Sequence, residues 1–280
     1  MKTLRGRVAA VTGAGSGIGR ALAVRLAAEG MALALCDIDE AGLAETAKLL
    51  GQAKVTLRRV DVSKQAEVAA FALAVQQEHG GASVLINNAG VALHGLFEEQ
   101  TNADLGWLMG INFWGTVYGT RAFLPQLLAQ DEAHLVNLSS IFGIVAPPGQ
   151  AAYCASKFAV RGFSESLRHE FAGSKLGITV VHPGGIKTNI ASSARAPQGF
   201  SAEEAKKRAD HFNRLAARTS AEKAAGAIVR AIQKNKSRLL IGPDAHLLDR
   251  IIRSLPERYW SVLGGVMDSK GWFKSRLAGR

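Results

Sequence analysis

The segment Thr12-Gly13-Ala14-Gly15-Ser16-Gly17-Ile18-Gly19 constrains this chain more than any other stretch. It follows the apolar run Val8 to Val11 and opens a helix-forming segment that starts near Ser16. Glycine at positions 13, 15, 17 and 19 lets the backbone turn sharply, lets a phosphate approach the main chain, and lets a helix pack closely on a sheet. The spacing is T-G-x-x-x-G-x-G rather than G-x-G-x-x-G, since Ile18 and Arg20 stand where the second pattern needs glycine. Taken alone, such a loop is equally a tight turn between a strand and a helix. Its place behind the first strand predicts instead a cradle for a dinucleotide.

The rest of the chain repeats the same alternation. Short β-branched or Leu-rich runs near Arg7–Thr12, Met31–Cys36, Lys54–Val60, Ser83–Asn87, His134–Leu138, Gly177–His182 and Ser237–Ile241 predict strands. Helices are predicted to start near Ser16, Glu40, Lys64, Thr101, Gln150 and Ser220. Seven strands with interleaved helices imply an α/β fold with a doubly wound parallel sheet, which binds ligands outside the carboxyl ends of its strands. With 280 residues the chain has ample length for one such domain. Residues 1–242 are read as that domain, 184–219 within it as a lid over the substrate, and 243–280 as a C-terminal amphipathic extension. The 48% hydrophobic content excludes disorder, and two cysteines, Cys36 and Cys154, exclude a disulfide scaffold. No apolar run approaches the ~18 residues of a membrane span, so a cytoplasmic address is expected.

Charge is unevenly spread. Residues 1–190 carry 16 basic and 15 acidic side chains, residues 191–280 carry 18 and 8, so +10 of the net +11 lies in the last third. No zinc-finger spacing, basic zipper or aromatic RNA-binding signature accompanies it, and no nucleic-acid partner or metal site is expected.

Asp37 closes the second strand, 20 positions after Gly17, where an acceptor for the adenosine ribose belongs. A carboxylate there repels a 2′-phosphate, and neither Ser16 nor Ile38 offers a cation to receive one, so NAD is expected in preference to NADP. The competing role for Asp37 is to cap the following helix. Further on, Ser139-Ser140 follows the fifth strand and Tyr153-Cys154-Ala155-Ser156-Lys157 begins a helix. Positions i and i+4 share a helix face, which sets the Tyr153 phenol near the Lys157 ammonium. A phenol with a pKa near ~10 is protonated at neutrality, and a nearby ammonium and an oxidised nicotinamide would both favour the phenolate, which predicts a usable base. A surface helix pair would show the same spacing. The glycine loop, Asp37, Asn87-Asn88-Ala89-Gly90 and a serine thirteen residues before Tyr153 argue against so bland a reading.

Together, Thr12–Gly19, Asn87–Gly90, Asn112, Ser140, Tyr153, Lys157 and Pro183-Gly184-x-x-x-Thr188 resemble the one-domain short-chain dehydrogenase/reductases, from about Leu4 to Gly242. The resemblance implies a Rossmann-type sheet with a C-terminal helical extension and hydride transfer between an alcohol and a nicotinamide dinucleotide. It further implies Tyr153 as general acid/base, Ser140 as hydrogen-bond partner of the substrate oxygen, and Lys157 as the residue that lowers the Tyr153 pKa and holds the nicotinamide ribose. Asn112 would kink its helix and hold a relay water. Asp61 and Val62 would meet the adenine, Asn88 with Ala89 and Gly90 the adenosine side, and Ile186 and Thr188 the carboxamide beside Pro183 and Gly184. A homotetramer or homodimer is implied as well.

The loops expected at the pocket are apolar, with Leu93, His94, Phe97, Ile141, Phe142 and Ile144 as candidate wall residues, which selects a hydrophobic secondary alcohol or ketone. His94 and Lys187 are either anchors for a polar substituent or solvated loop side chains. After Gly242, Leu247, Leu248, Ile251, Ile252 and Leu255 fall at helical spacing among Arg250, Arg253 and Arg258, followed by Trp260, Trp272 and Phe273. Such a stripe closes the pocket, packs on another subunit, or makes a weak contact with an anionic membrane surface. Two rival functions stay open: a catalytically silent NAD(H) sensor, and a membrane-peripheral reductase that uses the basic tail.

Overall fold

Val8–Thr12 (β1) is buried along almost its whole length, the pattern of a central parallel strand covered on both faces. In the computed structural model, which describes residues 1, 3–195, 203 and 218–267, β1 lies in the middle of a seven-stranded sheet. Its partners are β2 (Ala32–Asp37), β3 (Val55–Arg59), β4 (Val84–Asn87), β5 (Ala133–Leu138), β6 (Leu176–Pro183) and β9 (Arg238–Ile241). They run in the order β3-β2-β1-β4-β5-β6-β9, all parallel. The order reverses beside β1, so the β1 and β4 ends open a crevice where the two halves diverge.

The helices sort onto the two faces. On one, α1 (Gly17–Ala28) and α7 (Ala221–Gln233) close a core of Leu22, Leu26, Leu33, Leu35, Ile86, Val136, Val181, Ile228 and Ile232. On the other, α3 (Gln65–His79) and α5 (Gly115–Leu128) bury Phe71, Val75, Leu85, Phe123, Leu127 and Leu135, with Phe71 and Phe123 meeting edge to face at 5.6 Å. The predicted strands and helix starts correspond to observed elements, including α2 (Glu40–Ala47), α4 (Asn102–Met109) and α6 (Ala151–Glu170). The alternation did not reveal the short parallel pair β7 (Ile186–Lys187) and β8 (Thr219–Ser220), which joins the two ends of the segment expected as a lid. Most of that lid, 196–217 apart from Glu203, lies outside the described residues.

Past the sheet, α8 (Pro243–Ser254) and α9 (Tyr259–Met267) follow. Ala245 on α8 packs with Ile141, Ile144 and Val145, and Leu248, Ile252 and Tyr259 join them. Trp272 and Phe273 lie outside the described residues. Among the described residues no helix is long and apolar enough to cross a membrane.

Candidate active site

The glycine loop owes its shape to backbone conformations and to space. Gly13 and Gly17 have φ of +66° and +52°, the left-handed region that side chains disfavour. A Cβ on Gly13 would stand 2.7 Å from the Ala89 Cα, and one on Gly19 would run into the Gly13 carbonyl. The Asn88 amide donates to the carbonyls of Thr12 and Gly13, both at 2.9 Å, while Thr12 Oγ1 accepts from the Asn88 and Ala89 N–H groups at 3.0 Å. Asn88 therefore ties the end of β4 to the glycine loop. Ser16, at the N-cap of α1, makes no side-chain bond to its own helix.

Asp37 faces this loop rather than the helix behind it. Its Oδ2 accepts from Gly15 N–H at 2.8 Å and its Oδ1 from Asp39 N–H at 3.0 Å, while Asp39 supplies the cap of α2. The nearby Arg20 guanidinium is engaged by the Gly15 and Gly42 carbonyls and by Thr46 Oγ1. A cradle without side chains, an open helix start and a carboxylate at the end of β2 fit a dinucleotide in chemistry and in shape.

The second half of the site comes from β5, the helix pair α4/α5 and α6. Between Met109 and Gly115 the helix widens into one π turn, Gly110–Trp114, which carries the fully buried Asn112 inward. Asn112 Oδ1 accepts from Val91 N–H at 2.8 Å, and its Nδ2 donates to Val91 O at 3.0 Å and Ser156 Oγ at 3.1 Å. Gly90 sits where any Cβ would lie 3.2 Å from Asn112 Oδ1 and 3.3 Å from Lys157 Nζ. The π turn falls at Asn112, the residue at which a kink is expected.

Ser140, two residues past the end of β5, is in extended conformation and caps a 3₁₀ turn, accepting from Phe142 N–H at 3.1 Å. Its hydroxyl is near enough to the Tyr153 phenol to pull the phenol pKa down. The Lys157 ammonium lies 5.8 Å from the centre of the Tyr153 ring and donates to Leu138 O at 3.1 Å. Phe142 meets the same ring edge to face at 6.2 Å. Ser140, Tyr153 and Lys157 are all buried. Burial pushes Tyr153 up to about 12, against the pull of the Ser140 hydroxyl, and pushes Lys157 down to about 8. In the protein alone removal from water thus outweighs the Ser140 hydroxyl, and the expected lowering would need the oxidised nicotinamide as well as the amine.

Thr188 completes the crevice, its methyl group 3.1 Å from where a Cβ on Gly17 would stand, whereas Ile186 turns into the core with Val181 and Ile241. Asp61 accepts from the N–H and hydroxyl of Ser63, and Val62 packs against Gly115. Ile141 and Ile144 lie in the core beneath α8, and Phe97 is 67% exposed on a 3₁₀ turn. Leu93 is fully buried with Leu108, Ala152 and Tyr153, and Phe142, Trp107 and Ile190 pack against that cluster. His94 Nδ1 bonds Gln150 at 2.6 Å.

Sequence reasoning passed over three residues that hold this arrangement. Ser139 Oγ donates to Lys157 O at 2.8 Å, and the buried His182 donates from Nδ1 to Ser140 O at 3.0 Å. Asp244 accepts from Gly185 N–H at 2.7 Å. None belongs to a motif, though a histidine at the end of an otherwise apolar strand was a visible signal.

A glycine cradle at the switch point of a parallel sheet, next to a buried serine, tyrosine and lysine, defines an oxidoreductase built to work on a bound nucleotide. The short chain dehydrogenase family model matches residues 7–199. SadH of Mycobacterium tuberculosis, which carries an oxidoreductase name, is 42% identical over 98% of this chain and 100% of its own length. Human epidermal retinol dehydrogenase 2 is 39% identical over 68% of this chain and 63% of its own length. A short-chain dehydrogenase/reductase from Burkholderia phymatum, solved in complex with NAD, superposes with a TM-score of 0.84 at 34% identity, covering 91% of this chain and 95% of that one. The chain belongs to the short-chain dehydrogenase family and is an oxidoreductase.

Proposed function

We propose that the protein interconverts a hydrophobic secondary alcohol and its ketone, with NAD as the dinucleotide and Tyr153 as general acid/base. The observation that carries this reading is the meeting of Ser140, Asn112 and the α6 pair Tyr153 and Lys157, from three parts of the chain, buried together near Gly90 and the glycine loop. A nicotinamide dinucleotide held by residues 13–19, Asp37, Asn88 to Gly90, Lys157 and Pro183 to Thr188 would supply the hydride donor or acceptor.

In the protein alone Tyr153 keeps its proton at neutral pH, since burial raises its pKa to about 12. It is therefore ready to donate to a ketone oxygen. To take a proton from an alcohol it needs positive charge close by, and the Lys157 ammonium is one such charge. The Ser140 hydroxyl, beside Tyr153, would share the same substrate oxygen and steady charge that develops there. Asn112, close beneath Gly90 with Lys157, occupies the position from which a proton relay would leave the site.

Two observations favour NAD over NADP. The Asp37 carboxylate stands at the mouth of the loop, and Arg20 is already engaged with main-chain oxygens and so is no partner for a 2′-phosphate. The apolar surroundings of Tyr153, Phe142 and Ile190 among them, favour a substrate with hydrocarbon bulk at the reacting carbon. We place the protein in the cytoplasm, where its two buried thiols stay reduced. Trp114 at the end of the π turn (46% exposed) and Phe158 on α6 (39%) are large aromatic side chains open to water, which favours a homodimer or homotetramer that covers them. A membrane-surface contact is the second reading, favoured by Leu247 and Val262, 59% and 50% exposed on the C-terminal helices; sedimentation with anionic vesicles tests it.

The deciding experiment follows nicotinamide absorbance with a panel of hydrophobic alcohols and ketones, comparing the protein with Tyr153→Phe. Tyr153→Phe is expected to lose about a thousandfold in kcat and to keep NADH binding. Turnover that survives in the variant removes the mechanism. Dinucleotide binding with no turnover on any substrate identifies a sensor instead.

A further inference from the structure

We infer that Asp244, a carboxylate of the C-terminal helix α8, is a positioning residue for the turn Pro183–Thr188, which it holds through the Gly185 peptide. The inference rests on the proposed reading that this turn faces the nicotinamide end of a bound dinucleotide.

The turn has little of its own to fix it. Gly184 and Gly185 carry no side chains, and an unanchored Gly-Gly pair loses more conformational freedom on ordering than any other dipeptide. Its anchors come from other parts of the chain. Gly184 N–H donates to Ile241 O at 2.8 Å, and Gly185 N–H donates to Asp244 Oδ2 at 2.7 Å. Gly185 O accepts from the Arg218 and Thr219 N–H groups at 3.1 and 3.2 Å. The Gly185 residue is thus clamped from both sides, by a carboxylate and by the start of β8. Directly after the clamp, β7 pairs with β8 and Thr188 reaches Gly17.

The surroundings are shaped to admit this carboxylate. A Cβ at Gly184 or at Gly242 would collide with the Asp244 carboxylate oxygens, so two glycines on separate strand ends clear its place. Gly242 has φ +100°, and Pro243 opens the helix, which sets Asp244 in the first turn of α8 and directs its acceptor to the Gly185 amide. A bond from a backbone N–H to an ionised carboxylate is about twice as strong as a neutral one. A ligand that meets a turn already in place is spared the cost of ordering it. The C-terminal extension, outside the residues matched by the family model, thereby reaches the cofactor-holding crevice.

The test uses the full chain with Asp244→Ala and Asp244→Asn. NADH affinity is measured by fluorescence titration, together with KM for NAD, KM for the alcohol, kcat and Tm. Asp244→Ala is expected to raise the NADH Kd and the KM for NAD about tenfold, with kcat and the alcohol KM within about twofold. Asp244→Asn keeps an acceptor oxygen but loses the charge, and is expected to recover about half of that loss in free energy, leaving the Kd about threefold above wild type. An unchanged Kd in Asp244→Ala, whatever its Tm, overturns the inference, as does a fall in kcat alone, the mark of a merely structural role. Should Asp244→Ala not fold, Asp244→Asn decides: a Kd raised about threefold supports the role and an unchanged one overturns it. Wild-type protein that binds no NADH overturns the functional reading and this inference together, whereas equal binding by wild type and Asp244→Ala removes the inference alone.

Discussion

Individual side chains in this protein act mostly through the space they leave or the charge they carry. Gly19 lies inside α1, where alanine would ordinarily stabilise a helix, yet a methyl group there would meet the Gly13 carbonyl and come within 2.6 Å of the Asn88 amide. Gly19→Ala is expected to destabilise the fold by about 1–3 kcal/mol and to abolish NADH binding. Gly106, an exposed glycine of α4 with nothing within 4 Å of its missing Cβ, is the counterpart, and Gly106→Ala should stabilise by about 0.5–1 kcal/mol. Urea titrations of the two variants separate steric demand from helix propensity; losses of equal size would contradict it. Asp37 tests charge in the same way. Asp37→Asn keeps an acceptor for Gly15 N–H but removes the repulsion of a 2′-phosphate, so the kcat/KM ratio of NADP to NAD should rise at least about tenfold. A ratio that does not move would place discrimination elsewhere.

At the scale of elements, the site depends on one irregular turn. A continuous α-helix from Asn102 to Leu128 would not need Gly110–Trp114 to widen; the π turn delivers Asn112 to Val91 and Ser156. Asn112→Leu leaves the Val91 N–H and C=O without these partners and is expected to cost on the order of 2–4 kcal/mol. Denaturant unfolding checks the cost, and a loss under about 0.5 kcal/mol would show that the turn stands without its amide. The expected kink at Asn112 follows from the family resemblance, whereas the amide's partners depend on which strand end the turn meets. Val91 is 21 positions away from Asn112 and Ser156 is 44 positions away, separations at which no local pattern is informative.

For the whole molecule, acid sensitivity follows from two histidines within the sheet. His134 bonds Thr179 Oγ1 at 2.7 Å and His182 bonds Ser140 O at 3.0 Å, and both are fully buried. Burial lowers His134 to about 3 and His182 to about 4, from 6.5. Between about pH 6.5 and pH 4 the unfolded chain therefore binds up to two protons that the folded protein refuses. Stability is highest above that window and falls as pH drops through it, with a slope approaching about 3 kcal/mol per pH unit from these groups. Urea unfolding at pH 7, 6 and 5 measures the slope. His134→Asn should reduce it by about one proton, and an unchanged slope would assign the acid sensitivity to other groups.

The amino-acid sequence alone determined the alternation of strands and helices, the glycine cradle and the Tyr153 to Lys157 spacing, while Asp37 was assigned to the loop rather than to the cap only by its hydrogen bond to Gly15. Each of the first three is written in local periodicity or spacing, or in a backbone conformation that favours one residue type. Tertiary structure alone decided which way the Tyr153 pKa moves, since burial depends on what covers the ring. It also decided that Ile141 and Ile144 belong to the core, because α8, roughly a hundred residues later, lies over them. The same holds for His182 and Asp244: a hydrogen bond between distant segments leaves no trace in spacing and exists only once the sheet has brought its strand ends together.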